Sequence, residues 1–284
     1  MSAAILDGKE LAKRLLAQIS AQVSSRSSTS KKLGLATVLV GDDAASKSYV
    51  AGKHRDCAEV GISSIKVELD KNASKSQLLD QISKLKSDTN CTGFLVQLPL
   101  PNSFAVTEIL SKISPGKDVD GLTPENLGLL ALGKPRVIPC TARAIQYLLQ
   151  HYRIDITGRQ VLIIGRGMTV GRPLSILLSS KENNATVTLA HSASKDLPQL
   201  IAKNDVVITA VGKPNWLKSD WVKSDATVID VGITKLADKL VGDCDEKVVQ
   251  NCKFYAPVPG GVGPMTITML LMNTLEAAEK ASKP

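Results

Sequence analysis

Apolar and polar positions follow two different periods along the chain. Short apolar runs, rich in β-branched residues, predict buried strands at residues 33–40, 65–69, 93–98, 161–164, 185–190, 205–211 and 227–231. Apolar residues at helical spacing predict helices at residues 11–23, 43–61, 74–87, 141–152, 197–203, 216–222 and 265–281, and a serine- and lysine-rich stretch predicts a loop at 24–32. Buried strands that alternate with helices are typical of parallel sheets. The pattern therefore predicts an α/β fold.

Two stretches rich in proline and glycine, residues 114–139 and 257–264, interrupt this alternation. A chain of 284 residues is long enough to form two domains. We expect one α/β domain of residues 1–140 completed by the terminal helix of 264–284. The second, of residues 141–263, repeats the strand–helix alternation and is expected to be a Rossmann-like dinucleotide-binding unit, with a cleft between the domains.

The glycines at 165, 167 and 171 directly follow the apolar run of residues 161–164 and precede a helical pattern. Glycine lets a backbone approach a pyrophosphate closely, and the free amides of a helix N-terminus attract an anion. The strand–turn–helix context is the one a dinucleotide-binding loop needs. The spacing Gly-x-Gly-x-x-x-Gly is one residue longer than the commonest fingerprint, and a glycine-rich turn that serves only packing remains an alternative.

The end of the next predicted strand indicates which dinucleotide is bound. An enzyme that uses NAD usually carries an acid there, which accepts hydrogen bonds from the ribose hydroxyls. Here the strand runs into His191 and Ser192, with no acid before Asp196, and Arg166 lies inside the glycine loop. This favours NADP, whose 2′-phosphate needs a cation. The alternative is that His191 and Ser192 only cap the following helix.

Five polar positions in the first half are candidates for chemistry. Tyr49 and Lys53 are four residues apart on a predicted helix, so both project from one face. Gln97 lies in an otherwise apolar strand, where a side-chain amide needs a partner. Asp118 and Asp120 flank a valine in a glycine-rich loop, as ligand-binding carboxylates often do. The alternatives are a solvated surface lysine and a simple Asx turn.

Composition excludes several classes of function. The net charge of +8 comes from scattered lysines and only 3% of residues are aromatic, which argues against a nucleic-acid groove. Five widely spaced cysteines and three histidines predict free buried thiols and no metal site. Asp7, Lys9 and Glu10 do not suit a signal peptide, and no apolar run reaches 18 residues. We therefore expect a cytoplasmic protein with no membrane partner.

Several stretches together resemble one family. They are Ser48–Val50 with Lys53, Gly93–Pro101, Lys117–Gly121, Pro139–Thr141, the glycine loop and Pro257–Thr266. In their order and spacing they resemble the bifunctional methylenetetrahydrofolate dehydrogenase/methenyltetrahydrofolate cyclohydrolases, and the resemblance covers essentially the whole chain. Gly93–Pro101 and Pro257–Thr266 are its most specific parts.

The resemblance implies a role for each candidate in the first half. Tyr49 would stack on the aminobenzoate ring of folate, and Lys53 would polarise the one-carbon unit or assist proton transfer. Gln97 would position Lys53, and Asp120 would bind the pterin. The implied folate-binding positions are Tyr49, Val50, Gln97, Leu98, Pro99, Asp120, Pro259, Gly260, Gly261 and Pro264. Pro259–Gly263 would run between folate and nicotinamide.

The resemblance likewise implies NADP as the cofactor. The implied cofactor-binding positions are Thr141, Gly165, Arg166, Gly167, Thr169, Val170, Gly171, His191, Ser192, Val211, Gly212, Gly232, Ile233, Gly261 and Thr266. Gly167 stands where many members of the family have serine, which leaves more of the phosphate binding to Arg166, Ser192 and Ser194. At the expected interdomain hinge, Cys140–Ala144 departs from the common Cys-Thr-Pro-x-Gly and is given no catalytic role.

The implied activity is both an oxidoreductase and a hydrolase of one-carbon metabolism that supports purine biosynthesis. Methylenetetrahydrofolate would be oxidised to methenyltetrahydrofolate, which would be hydrolysed to 10-formyltetrahydrofolate. The resemblance also implies a homodimer joined through the nucleotide domain and a folate that can carry a polyglutamate tail. The alternatives are a dehydrogenase without the cyclohydrolase step, a non-catalytic NADP- or folate-binding module, and a shikimate-type dehydrogenase.

Overall fold

The computed structural model describes residues 2–26, 31–236 and 239–281. In these ranges the strands are β1 (Ala4–Ile5), β2 (Gly34–Val40), β3 (Ser63–Leu69), β4 (Gly93–Val96), β5 (Gln160–Ile164), β6 (Thr186–Ala190), β7 (Val206–Thr209), β8 (Thr227–Asp230), β9 (Thr234–Leu236), β10 (Lys239–Val241) and β11 (Phe254–Ala256). The α-helices are α1 (Gly8–Ser24), α2 (Ala44–Val60), α3 (Lys75–Ser87), α4 (Val106–Leu110), α5 (Pro124–Ala131), α6 (Cys140–His151), α7 (Gly171–Leu178), α8 (Leu197–Ala202) and α9 (Val262–Ala281). Short 3₁₀ helices cover Ser219–Trp221 and Glu246–Gln250.

The chain forms two compact units, and the predicted α/β class is confirmed. The first unit consists of residues 13–140 and 267 onward, and the second of the chain up to residue 12 and 141–266. The sequence placed residues 1–12 in the first domain. The structure places them in the second, because β1 pairs in parallel with β11.

The first unit contains a three-stranded parallel sheet in the order β3–β2–β4. Every residue of β2 is buried, as its predominantly apolar sequence predicts. Helix α2 begins where expected, because the Asp43 carboxylate accepts a hydrogen bond from the Ser46 amide at 2.8 Å, and it ends at Gly61. Helix α2 carries Tyr49 and Lys53, and Gln97 directly follows strand β4.

The second unit contains a six-stranded parallel sheet in the order β1–β11–β8–β7–β5–β6. The chain passes from β5 to β6 on one side and then to β7 on the other side of β5. This reversal is the switch point at which open α/β sheets bind ligands beyond the carboxyl ends of their strands. The predicted glycine loop directly follows β5 at this position.

Some predicted elements differ from the structure. Residues 216–222 form a 3₁₀ turn at Ser219–Trp221 instead of a helix. The strand predicted at 205–211 ends at Thr209, so its last residues belong to a loop. Helix α9 begins inside the expected loop, at Val262. Of the loop predicted at 24–32, residues 27–30 lie outside the described residues.

Candidate active site

Lys53 is buried in the first unit and paired with an amide. It lies on α2, its side chain and backbone are only 5% exposed, and its Nζ donates a hydrogen bond to Oε1 of Gln97 at 3.0 Å. The ammonium nitrogen is also 5.0 Å from the centre of the Tyr49 ring. The helical spacing therefore placed Tyr49 and Lys53 together correctly, and the alternative of a solvated surface lysine is wrong.

Gln97 is held in place from both sides. It follows β4, and its backbone amide donates to the carbonyl of Val38 at 2.8 Å. Its side-chain Nε2 donates to the carbonyl of Leu98 at 2.7 Å, so its Oε1 is turned to Lys53. The predicted strand 93–98 ends at Val96, but the side-chain amide expected to need a partner has two, and one of them is the lysine.

Asp120 supplies the opposite charge for Lys53. Burial lowers the pKa of Lys53, and the negative charge of Asp120 opposes that shift. Burial likewise raises the pKa of Asp120, and the positive charge of Lys53 opposes it. Each group therefore favours the charged form of the other in a site that disfavours both charges. Such a pair is suited to take up and release a proton.

Asp118 has a different role from Asp120, although both belong to one motif. Asp118 is 2% exposed, and its carboxylate accepts hydrogen bonds from the amides of Gly121 and Thr123, both at 2.8 Å, and from Nδ2 of Asn126 at 2.9 Å. It therefore fixes the turn that carries Asp120. For Asp118 the alternative of an Asx-type turn is the correct one.

Cys140 borders the same cluster, which the sequence did not indicate. Its thiol donates to the carbonyl of Val119 at 3.3 Å and accepts a hydrogen bond from Nδ2 of Asn273 at 3.4 Å. Burial, together with the charge of Asp120, raises the pKa of the Cys140 thiol well above its usual range. Cys140 is therefore a neutral neighbour of the lysine and the carboxylate. All five cysteines are free and buried, as predicted.

The glycine loop of the second unit is shaped by close backbone contacts. A Cβ at Gly165 would lie 2.2 Å from the carbonyl oxygen of Ala210, and one at Gly171 would lie 1.7 Å from that of Gly165. A Cβ at Gly167 would meet nothing within 4 Å. Gly171 is the first residue of α7, so the loop delivers the free amides of a helix start to the carboxyl end of β5.

The turn after β6 is held by its own side chains. Oγ of Ser194 accepts a hydrogen bond from the amide of His191 at 3.0 Å, and Nδ1 of His191 accepts one from the amide of Ala193 at 3.2 Å. Helix α8 starts later, with Asp196 as its N-cap residue. The alternative in which His191 and Ser192 cap this helix is therefore wrong, and Ser192 is left exposed on the turn.

The loop before α9 is anchored by the N-terminal segment. The amide of Lys9 donates to the carbonyl of Gly260 at 2.9 Å, and a Cβ at Gly8 would lie 1.9 Å from the carbonyl oxygen of Gly261. Oγ1 of Thr266 lies 3.5 Å from Oγ1 of Thr141. Nothing in the local sequence around Gly8 indicated this contact.

The candidate residues divide between the two units. The first unit holds Tyr49, Val50, Gln97, Leu98, Pro99 and Asp120 together with Lys53. The second unit holds Pro259, Gly260, Gly261 and Pro264 and all of the candidate cofactor positions. Within the described residues, no group of three or more His, Cys, Asp or Glu side chains is placed to hold a metal ion, and no helix is long and apolar enough to cross a membrane.

Two family models match the chain. Residues 6–120 match the catalytic domain of tetrahydrofolate dehydrogenase/cyclohydrolase, and residues 139–282 match its NAD(P)-binding domain. The first match contains Lys53, Gln97 and Asp120, and the second contains the glycine loop.

Solved structures of similar proteins agree with these matches. The bifunctional methylenetetrahydrofolate dehydrogenase/cyclohydrolase FolD of Campylobacter jejuni is 41% identical, with a TM-score of 0.94 over 99% of this chain and 100% of that chain. The enzyme of Trypanosoma brucei, solved with NADP cofactor and an inhibitor, is 35% identical, with a TM-score of 0.96 over 100% of both chains. A shikimate 5-dehydrogenase of Thermus thermophilus, at 14% identity, 87% of this chain, 99% of that chain and a TM-score of 0.53, is similar in fold alone.

Proposed function

Because the chain belongs to the tetrahydrofolate dehydrogenase/cyclohydrolase family, we propose that it oxidises 5,10-methylenetetrahydrofolate with NADP and hydrolyses the methenyl product to 10-formyltetrahydrofolate. The observation that carries this proposal is the buried Lys53, which is bonded to Gln97 and lies in the field of Asp120. A protein that only binds a ligand gains nothing from burying an ammonium group, which costs free energy. An enzyme that transfers protons does gain, because burial shifts the pKa of that group.

Lys53 is the proton-transfer group in this proposal. Burial disfavours its charged form and lowers the pKa of Lys53, so the neutral amine forms more readily than in an exposed lysine. A water molecule that adds to the methenyl carbon must lose a proton, and the amine can take it. The Oε1 atom of Gln97 accepts a hydrogen bond from Nζ and so fixes the direction in which the amine points. Asp120 stabilises the ammonium that results.

The second unit is suited to hold NADP. The free amides at the start of α7 suit a pyrophosphate, and Gly167 leaves open space in the loop before that helix. The residues after β6 include no acid before Asp196 that would repel a 2′-phosphate. Arg166 and Ser192 would bind that phosphate. Bound NADP supplies the hydride acceptor for the oxidation. The part of the protein in this step is to align the two ligands.

The test follows the absorbance of the methenyl intermediate in purified protein given methylenetetrahydrofolate and NADP. In the wild type we expect the intermediate to form and then to be hydrolysed faster than in buffer. In Lys53→Ala we expect hydrolysis to fall by about 10²–10⁴-fold, as when a general base is removed.

Each other result has a defined meaning in this assay. If the wild type reduces neither NADP nor NAD, the dehydrogenase assignment is wrong and a binding module remains. Reduction with hydrolysis only at the rate in buffer would show a dehydrogenase without cyclohydrolase activity. Hydrolysis that survives in Lys53→Ala would show that the proton acceptor is another group.

Finer features complete the proposal. Leu236 and Leu240, in the β9–β10 hairpin, are 48% and 47% exposed, and such large exposed apolar side chains favour a homodimer formed through the second unit. Light scattering on Leu240→Glu, beside the wild type, tests this: a change from dimer to monomer would support it. We also propose a cytoplasmic location, because free buried cysteines are typical of a reducing compartment. A role in purine biosynthesis and a folate with a polyglutamate tail are proposed because the family resemblance implies them.

A further inference from the structure

Two buried aspartates lie at the carboxyl ends of strands β7 and β8 in the second unit. Asp230 is the last residue of β8 and is 1% exposed, and Asp243 follows the β9–β10 hairpin and is 0% exposed. No cation pairs with either carboxylate among the ion pairs of the described residues. Buried carboxylates without a cation must be stabilised by hydrogen bonds.

Asp243 is bonded to the loop that follows β7. Its Oδ2 accepts a hydrogen bond from the amide of Val211 at 2.7 Å, and its Oδ1 accepts one from the amide of Lys213 at 2.8 Å. The two bonds straddle Gly212, whose φ of 66° is a left-handed conformation. One carboxylate therefore fixes the three-residue loop that carries two of the candidate cofactor positions.

Asp230 in turn holds Asp243. Its Oδ1 accepts from the amide of Asp243 and its Oδ2 from the amide of Cys244, both at 2.9 Å. Oγ1 of Thr209, at the end of β7, lies 3.4 Å from the same Oδ1. The two carboxylates thus join the ends of β7 and β8 to the segment after β10.

The glycine after β8 is part of this arrangement. A Cβ at Gly232 would lie 2.0 Å from Oδ1 of Asp243, and one at Gly242 would lie 2.0 Å from Oδ2 of Asp230. Gly232 is therefore required by contact with the Asp243 carboxylate. The candidate cofactor positions 211, 212, 232 and 233 all belong to the two loops that surround this carboxylate.

We propose that Asp243, supported by Asp230, is a positioning residue that holds the loops after β7 and β8 in the conformation that binds the dinucleotide. The proposal rests on the proposed function for the identity of the cofactor. It assigns Asp243 to the dehydrogenase step alone, because hydrolysis of the methenyl group uses no nucleotide. Burial raises the pKa of both carboxyls, that of Asp230 to about 6, which agrees with their lack of a cation.

The test is Asp243→Asn, which keeps the shape of the side chain. An asparagine oxygen can accept from one of the two amides, but its NH₂ group would face the other. We expect the KM for NADP to rise about tenfold with a smaller change in kcat, as for a lost binding contact. The KM for folate and the cyclohydrolase rate are expected to stay within about twofold of the wild type.

Asp245→Asn is the matched control. Asp245 lies two residues further on, and its carboxylate accepts a hydrogen bond from the amide of Lys247 at 3.0 Å, outside the candidate loops. We expect this variant to leave the KM for NADP unchanged. An equal effect in both variants would contradict a specific role for Asp243.

Other outcomes also decide the proposal. An unchanged KM for NADP in Asp243→Asn, or equal loss of both activities in a protein with a native circular dichroism spectrum, would overturn it. If Asp243→Asn does not fold, Asp230→Asn decides, with a rise in the KM for NADP and intact hydrolysis as the supporting result and an unchanged KM as the opposing one. If the wild type is inactive, the proposed function fails, and calorimetric titration of each variant with NADP still tests the role of Asp243.

Discussion

The two units build their candidate sites from different parts of the chain. In the first unit, the groups that matter are side chains: an ammonium, an amide and a carboxylate on α2, after β4 and in the turn at residue 120. In the second unit, the candidate surface is mostly backbone, and the buried Asp230 and Asp243 hold that backbone. The buried charges show the difference most clearly.

Lys53 and Asp243 are both buried ionisable groups, but their charged forms are stabilised in different ways. Lys53 makes one hydrogen bond to a side chain and otherwise depends on the charge of Asp120, so its protonation can change. The Asp243 carboxylate accepts hydrogen bonds from two backbone amides, and the Asp243 amide donates one to Asp230. These hydrogen bonds fix the conformation of the loop after β7. A buried charge held by another charge is suited to proton transfer, whereas one held by amides is suited to positioning.

The comparison predicts that a single added methyl group can impair the use of NADP by the second unit. In Gly171→Ala the Cβ would lie 1.7 Å from the carbonyl oxygen of Gly165, so the loop after β5 must move. We expect kcat/KM for NADP to fall by about 100-fold, since a misplaced binding loop costs about that much. Steady-state kinetics of both activities provides the measurement, with the cyclohydrolase rate expected within about threefold of the wild type.

Gly167→Ala is the matched control in the same loop. It adds the same methyl group where nothing lies within 4 Å, so its kcat/KM for NADP should change by less than about threefold. If the two variants behave alike, flexibility of the loop and not the close contact at Gly171 controls binding. A parallel loss of cyclohydrolase activity in Gly171→Ala would show that the two sites are not separable.

In the first unit, a change of charge is predicted to act through the pKa of Lys53. Gln97→Glu replaces the amide that accepts the hydrogen bond from Nζ with a carboxylate. The negative charge favours the ammonium form and therefore raises the pKa of Lys53. If the neutral amine is the reactive form, the rising limb of cyclohydrolase activity moves to higher pH. We expect the rate near pH 7 to fall about tenfold and to recover in part at higher pH.

Gln97→Met separates this effect from the loss of orientation. It removes the acceptor without adding charge, so the rate should fall with no upward shift of the pH profile. The same pH profile in both variants would contradict the role assigned to the pKa of Lys53. NADP binding is expected to be unchanged in both, because Gln97 belongs to the first unit.

The sequence predicted the site of the first unit better than that of the second. Helical spacing brought Tyr49 and Lys53 to one face, and a polar residue in an apolar strand indicated Gln97. Asp230 and Asp243 gave no comparable signal, because they lie thirteen positions apart and meet through the intervening hairpin. The β1 strand was missed because its two residues pair with β11, some 250 positions away, and such a pairing leaves no local pattern.

The smallest predicted effect concerns the one open position in the glycine loop. The family resemblance implies that serine can stand where this chain has Gly167, and the open space there can accept a side chain. In Gly167→Ser the hydroxyl adds one exposed hydrogen bond to a phosphate, which is worth little because water competes for it. We therefore expect the ratio of kcat/KM for NADP over NAD to rise only about threefold. Kinetics with both cofactors distinguishes the phosphate involved, since a hydroxyl bonded to the 2′-phosphate improves NADP alone, whereas one bonded to the pyrophosphate improves both equally. A change of 100-fold would mean that a side chain, and not the backbone, governs nucleotide binding in the second unit, and the contrast with the first unit would then fail.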